Sequence, residues 1–499
     1  MTSAAEYHQR TKHSPASVRA NRHMLDWAIQ PLPFKIYEDV PSLPLPRDLG
    51  ASAMPALQAI AAPAGGEVAT PDLRQLARLL HFSAGIIRRK EYPGGEVMYF
   101  RAAACTGALY HIDLYLVCGE LPGLAAGVYH FGPHDGALHQ LRGGDFRGAL
   151  VEASAAEPAV AAAPAVLVCT STFWRNAWKY QARTYRHCFW DTGTLLANLL
   201  AVAAADGVPA RVVMGFVDAT VNALLGLDTE REVALSLVPL GRGSAPAPTP
   251  PPSPPLHLAT RPLSSREVDY PLIRAAHAAS SLADPAAVRA WRQRASSTPP
   301  RRAPPTGAEI VPLRPLAQAP PVTIEAVIRR RGSARRFARR AIELGALSTM
   351  LQVATRGIPF DDGGDGMTLA EPYLIVNAVE GIAAGSYALD RQALALATLA
   401  RGDFRTVAGH LDLGQELAAD AAVDVYLLAD LAHLLAAGDR SYRAAQLAAA
   451  IAGGKLYLAA YALGLGATGL TFFDDDVIEF FSPHASGKDV MFLVAAGVR

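Results

Sequence analysis

An excess of charge of one sign is almost missing from this chain. Its 46 lysines and arginines face 45 aspartates and glutamates, a net of +1, so no field is set up that would gather nucleic acid or an anionic membrane. Cysteine is scarce. Cys105, Cys118, Cys169 and Cys188 are the only four in 499 residues, and no CxxC spacing joins them, so neither a zinc site nor a disulfide framework is read. No metal-ligating set is assigned, and a reducing cytoplasm is the expected compartment. An apolar h-region is absent from MTSAAEYHQRTKHSP, so no secretory signal is expected. Long clean apolar runs are absent too. The most apolar region, 444–473, is interrupted by Lys455 and several glycines and reads as a buried helix and strand rather than a membrane span.

What the chain does have is half its residues hydrophobic and 37 prolines gathered into blocks. Four segments follow from this. Residues 1–50 read as an N-terminal arm, polar and helix-like at first and then extended over WAIQPLPFKIYEDVPSLPLPRDL, where repeated proline removes regular structure. Residues 51–243 form a first domain, with a helix ending near Gly85 and strands at 112–118, 127–131, 165–170 and 233–240. Residues 244–321 are a stiff proline-rich linker with a helical segment at 263–294. Residues 322–499 form a second domain.

The two domains are copies. LAAGVYHF at 124–131 returns as IAAGSYAL at 382–389, and Tyr387 minus Tyr129 is an offset of 258. GGDFR at 143–147 returns as RGDFR at 401–405 at the same offset. At 257, Arg183, Tyr185 and Arg186 match Arg440, Tyr442 and Arg443, and Gly207, Phe216 and Asp218 match Gly464, Phe473 and Asp475. Two copies in one chain are expected to pack about a pseudo-twofold axis. The copies also differ. Lys179 and Tyr180 become Ala436 and Ala437, the loop FRAAACTGALYHIDLY at 100–115 is replaced by FDDGGDGMTLAEPY, and RRRGSARRF at 329–337 has no match in copy one. Each copy keeps what the other lost, as expected when a symmetric pair with two interface sites fuses and keeps one.

Residues 174–191, WRNAWKYQARTYRHCFWD, read as a single helix. On it Arg175, Lys179, Arg183 and Arg186 share one face, beside an apolar stripe of Trp178, Ala182, Tyr185 and Phe189. Four cations on one face repel, so an anion or open water is expected opposite. Lys179 and Tyr180 are adjacent proton carriers. A lysine used as a base near neutral pH needs burial or neighbouring cations to loosen its proton, and Arg175, Arg183 and Arg186 are the candidates. The cluster Arg329, Arg330, Arg331, Gly332, Ser333, Ala334, Arg335, Arg336 and Phe337 ends a helix opening at Thr323 and suits a small-molecule phosphate. Gly464 to Gly469 lets backbone approach a flat ring, but it lacks the strand-then-helix setting of a dinucleotide fingerprint. Cys105 lies in a small-residue loop, without a partner that would make it a nucleophile.

These motifs together resemble the SagB/ThcOx-type dehydrogenases of the flavin-dependent nitroreductase superfamily, which include azoline oxidases. The likeness covers nearly the whole chain. The family's phosphate signature appears as Arg331-Gly332-Ser333-Ala334-Arg335-Arg336-Phe337. Its ring-contact loop appears as Arg101 to His111, its Lys-Tyr pair and R-x-Y-R as Lys179, Tyr180, Arg183, Tyr185 and Arg186, and its G-A-T-G as Gly466 to Gly469. The loop departs from the family where Pro-Ser is Ala104-Cys105 and a later Pro is His111.

The resemblance implies an α+β fold: a tandem pair of nitroreductase-like domains, each a mixed, mainly antiparallel sheet wrapped by helices, packed as an intramolecular pseudo-dimer. It implies FMN bound by Arg331, Ser333, Arg335, Arg101, Ala104, Cys105, Thr106, Gly107, Gly466, Ala467, Thr468 and Gly469, with Lys179 and Tyr180 catalytic. The expected reaction is oxidation of a saturated heterocycle, azoline to azole, or a related C–X bond on a peptide or small molecule. Biosynthetic partner enzymes of a natural-product pathway fit, as does a monomer or a homodimer of the fused pair. An NAD(P)H-dependent nitro- or quinone reductase and a flavin-free, partner-binding scaffold are the alternatives.

Overall fold

The computed structural model describes residues 2–62, 65–95, 97–243, 245–296, 302–361 and 366–499. Part of the replaced loop at 360–373, and the parts of the linker at 244 and 297–301, therefore lie outside the described residues.

Each copy builds an antiparallel sheet. In the first, Ser42–Pro44, Ala137–Gly143, Gly127–Gly132, Ile112–Cys118, Ala165–Thr172 and Glu232–Leu240 lie side by side in that order. In the second the order is Gly466–Gly469, Asp489–Gly497, Val423–Ala429, Glu371–Val376, Gly385–Asp390, Ala395–Arg401 and Ile310–Pro312. The registers repeat: Leu116 pairs with Tyr129, and Leu374 with Tyr387, so both central pairs keep the 258 offset. Strand alternation reads directly into packing. Leu114, Leu116 and Cys118 join the main core, while Tyr115 and Val117 join a second apolar cluster on the opposite face, as side chains of period two must.

Between the sheets lie two long helices, Thr184–Ala205 and Arg440–Ala462. Every residue of the second is buried, and all but the last of the first. Apolar composition alone would let the first cross a membrane, but it is enclosed by protein. The helices cross at reciprocal glycines. A Cβ on Gly193 would overlap Ala450, and one on Gly454 would stand 2.6 Å from Ala197 Cβ. Both pairs are 257 residues apart, so the crossing marks the pseudo-twofold axis. The tandem, mainly antiparallel α+β architecture expected from the sequence is present.

Two sequence expectations change. The first concerns the single helix over 174–191, which is two. Phe173–Tyr180 ends where Gln181 takes φ 51°, ψ −139°, a short 3-10 turn follows, and Thr184 starts the next helix. Neither glycine nor proline marks this break. The four cations do not share a wet face. Arg175 is buried against Asp113, and Arg183 and Arg186 are buried on Asp474 of the other copy. The second is the 257 offset, which holds only as far as Gly207 and Gly464. Beyond them copy two is one residue shorter, so Asp218 corresponds to Asp474, and Phe216 beneath Arg440 corresponds to Phe472 beneath Arg183. The arm begins helical, as its polar start reads. Ser3 and Ser14 accept from backbone N–H groups and cap helices Ala4–Arg10 and Pro15–Ala20. Tyr7 sits edge-on to both Tyr185 and Tyr442, so the arm clamps the pseudo-axis.

Candidate active site

A helix capped by Thr323 runs Ile324–Arg330 and delivers Arg331 to the junction of the copies. Arg331 Nε and Nη2 donate to the Ala102 carbonyl at 3.2 and 3.1 Å, and Nη2 reaches the Arg101 carbonyl at 3.5 Å. The next residues turn onto the strand Gly466–Gly469. Ala334 N–H donates to Ala467 O at 2.9 Å, and the Ser333 hydroxyl meets Tyr457 Oη at 3.3 Å. Tyr457 Oη accepts the Gly469 N–H. Arg335 and Arg336 are exposed and have no carboxylate partner among the described residues, so they offer free guanidinium donors to an anion.

From copy one comes the loop 101–111. Gly107, Ala108 and Tyr110 have φ of 65°, 56° and 48°, so the chain coils tightly and exposes Gly107 and Ala108. Asp191 on the first long helix holds this coil. Its carboxylate accepts from Thr106 N and Thr106 Oγ1 at 2.8 Å each and from Cys105 Sγ at 3.0 Å, and His111 Nε2 lies 2.9 Å away. His111 Nδ1 in turn lies 2.8 Å from Ser171 Oγ. Burial and the adjacent Asp191 push the Cys105 thiol well above its usual range, so it stays a neutral donor rather than a nucleophile. Asp191 ends the basic stretch singled out in the sequence, but its partners lie some 85 residues upstream and no local pattern points to them. Its counterpart at offset 257 is Ala448, so the brace exists in copy one only.

Tyr180 joins the loop directly. A Cβ on Gly107 would stand 2.9 Å from Tyr180 Oη, so only glycine leaves the phenol room there. Burial, with Asp191 and Cys105 nearby, raises the Tyr180 phenol above its usual range. Lys179 differs from expectation. It is exposed, its Nζ sits 5.4 Å from the Tyr180 ring centroid, and the three arginines that were to crowd it are turned inward onto carboxylates. Arg101 also differs. Its guanidinium donates to Pro33 O at 2.6 Å and Ile112 O at 3.3 Å and packs between Phe34 and Tyr110. It fastens the loop to the arm, while its backbone carbonyl faces Arg331. The 331–335 turn, the 466–469 strand, the 101–111 loop and Lys179-Tyr180 thus come to one place, from both copies.

The related place on the other side of the axis is closed by the chain itself. At the offset of 256 that holds beyond Gly207, the strand 466–469 corresponds to 210–213. There Val212 N–H donates to Pro359 O at 2.8 Å and Arg211 to Phe360 O at 2.5 Å. Asp361, buried, accepts from Met214 N at 2.7 Å, Gly215 N at 2.9 Å and Arg292 Nε at 2.8 Å. Two main-chain carbonyls and a carboxylate of segment 359–361 take up these donors.

Two antiparallel sheets about a shared helix pair, with a cleft built from both halves, define a protein of nitroreductase-superfamily fold. Residues 68–242 match the nitroreductase family model. A crystal structure of a candidate nitroreductase from Anabaena variabilis ATCC 29413 aligns over 100% of both chains at 28% identity with a TM-score of 0.79, so the tandem arrangement has a solved counterpart along its full length. A candidate nitroreductase of Methanocaldococcus jannaschii, MJ1384, is 24% identical over 170 residues, 34% of this chain and 80% of the relative. A chain of the E. coli microcin synthetase McbBCD complex with truncated pro-MccB17 bound covers 49% of this chain and 89% of its own at 20% identity, with a TM-score of 0.32, an overlap too partial to bear on chemistry.

Proposed function

We propose that this chain is an FMN-dependent oxidoreductase, a dehydrogenase that oxidises a saturated heterocycle of the azoline type, or a related C–X bond, on a peptide or small molecule. The observation that carries the reading is the convergence of the four segments at one cleft while the equivalent cleft is filled. One FMN per chain follows. The residues present fit the cofactor. Arg335 and Arg331, with the Ser333 hydroxyl, form a cationic end for the phosphate, and Gly466, Ala467, Thr468 and Gly469 give a low surface against which a flat ring can lie. The chain supplies the other wall through Ala104, Cys105, Thr106 and Gly107, and Arg101 anchors that wall from behind.

When bound, FMN supplies the hydride acceptor. The remaining task belongs to Lys179 and Tyr180, which stand at the mouth of the loop. Lys179 takes the proton released as the C–X bond is oxidised, and the half-buried, protonated Tyr180 orients the reacting group by donating its phenolic hydrogen. Replacing Lys179 by alanine is expected to leave the protein yellow and to abolish oxidation of an azoline-bearing peptide. Colourless wild-type protein, or undiminished turnover in the variant, overturns the reading.

One observation favours a second reading. Lys179 lies in open solvent rather than buried, and the relatives are named as nitroreductases. A reductase taking electrons from NAD(P)H needs no dedicated base. Rapid bleaching of the bound flavin by NAD(P)H, followed by reduction of a nitroaromatic in the Lys179→Ala variant at wild-type rate, selects it.

A further inference from the structure

Outside the cleft, the hairpin between strands Gly127–Gly132 and Ala137–Gly143 gathers side chains that the redox site does not use. His139 Nε2 lies 3.0 Å and His134 Nε2 lies 3.6 Å from the same atom, Asp135 Oδ2, and the three ligand atoms all lie within 4.8 Å of one another. A tetrahedral zinc ion with bonds near 2.0–2.2 Å holds its ligand atoms about 3.4 Å apart, and the observed spacings bracket that value.

Hydrogen bonding does not account for the cluster. His139 Nε2, although close to the carboxylate, is off any hydrogen-bond line, and both it and His134 Nδ1 are buried without a partner among the described residues. The two imidazoles stack with planes 9° apart and centroids 5.9 Å apart, each edge turned to Asp135. Gly132 makes the approach possible. A Cβ there would stand 2.5 Å from Asp135 Oδ1 and 2.6 Å from His139 Nε2. Copy two is a built-in comparison: at offset 258 its residues are Gln392, Ala393 and Ala397, and none can ligate as these do.

We propose that His134, Asp135 and His139 bind one divalent transition-metal ion of zinc type, with water completing the coordination from the open side, where Asp135 is exposed. Two imidazoles and one carboxylate suit zinc, cobalt or nickel rather than calcium or magnesium, which prefer all-oxygen shells. The site ties the hairpin to the arm, because His139 is paired with Ser42 and Phe34 packs on the His134 ring. It rests on no part of the redox reading.

The test uses the full, untagged chain stripped with chelator and titrated with Co2+ and Zn2+. One equivalent is expected, with cobalt ligand-field absorption and displacement by zinc. Asp135→Asn and His139→Ala should each weaken binding at least about tenfold, whereas His257→Ala, on the exposed linker, should not. If His139→Ala fails to fold, His134→Ala on the outer side decides. Absence of a stoichiometric site, or wild-type affinity in the Asp135→Asn and His134→Ala chains, means adventitious histidine binding only and overturns the proposal. Flavin colour, read on the same samples, reports the redox site separately.

Discussion

Arg186 and Asp474 form an ion pair of 2.6 Å across the two copies, both side chains sealed from solvent. The opposite half returns it, with Arg443 2.7 Å and Arg440 3.0 Å from Asp218. The cations that read as a wet basic face are thus a reciprocal clasp, each copy lending its arginines to the carboxylate at the start of the other's helix, Asp218–Leu225 or Asp474–Phe481.

Replacing Asp474 by alanine should cost about 3–5 kcal/mol, because it strands the buried Arg183 and Arg186. Denaturant unfolding of the two proteins measures it. The pH response has a definite sign. Burial opposes ionisation of Asp474 and Asp218, but the flanking arginine pairs outweigh it and hold both carboxyls below the ordinary range. A depressed folded pKa gives stability that is complete above the unfolded value of about 3.9 and is lost as pH falls through the folded one. Wild type should therefore unfold steeply in acid, and Asp474→Ala should show a shallower acid limb.

Asp191→Ala should loosen the loop 101–111. Three donors, from Thr106 and Cys105, lose their acceptor, at about 1–3 kcal/mol for each buried group left unpaired. The expected result is weaker flavin retention on dialysis together with a lower melting temperature. Asp191→Asn, which keeps an oxygen acceptor, should restore much of the flavin content. Equal flavin affinity in wild type and Asp191→Ala would mean that the loop takes no part in the cofactor site.

The duplication was legible because Tyr129 with Tyr387, and Arg183 with Arg440, recur at near-constant spacing, and spacing survives where identity does not. The 331–335 turn and the G-A-T-G strand were legible as local motifs on predictable elements. The break at Gln181 was not. It has neither glycine nor proline, and the left-handed φ persists because the flanking Tyr180 and Arg183 are each fixed by tertiary contacts. Nor was the burial of Arg183 and Arg186 legible, since their partner lies almost 300 residues on. A helical wheel shows which side chains share a face, but not what the other half of the molecule places against it.

Asp412 and Asp424 make a different pH prediction. Both are buried in the second copy. Among the side-chain donors of the described residues, Asp412 accepts only from Tyr426 Oη at 2.9 Å and Asp424 only from Asn377 Nδ2 at 3.2 Å. Burial, and for Asp412 the adjacent Asp424, raise both carboxyls well above the usual range. A raised folded pKa stabilises the protein below the unfolded value of about 3.9 and withdraws that stability as pH climbs through the folded value. Asp424→Asn removes the ionisable group while keeping an acceptor for Asn377. It should gain roughly 1–3 kcal/mol once pH has passed the folded value and flatten the decline in melting temperature as pH rises above about 3.9.

The helix crossing gives the last expectation. A Cβ on Gly454 would stand 2.6 Å from Ala197 Cβ and 3.0 Å from Thr194 Cα, and neither neighbour is the tip of a flexible side chain that could swing away. Gly454→Val must therefore part the two long helices, with an overpacking cost of about 1–3 kcal/mol. The cleft is assembled from segments on both sides of this crossing, so the separation also draws Arg331 from the Ala102 carbonyl. Flavin content should fall further than the loss of stability alone would produce at a temperature where the variant stays folded. Gly65→Ala, at a position with open space around it, is the matched control and should change neither quantity. If Gly454→Val lowers the melting temperature yet retains full flavin, the cleft does not depend on the packing of one copy against the other.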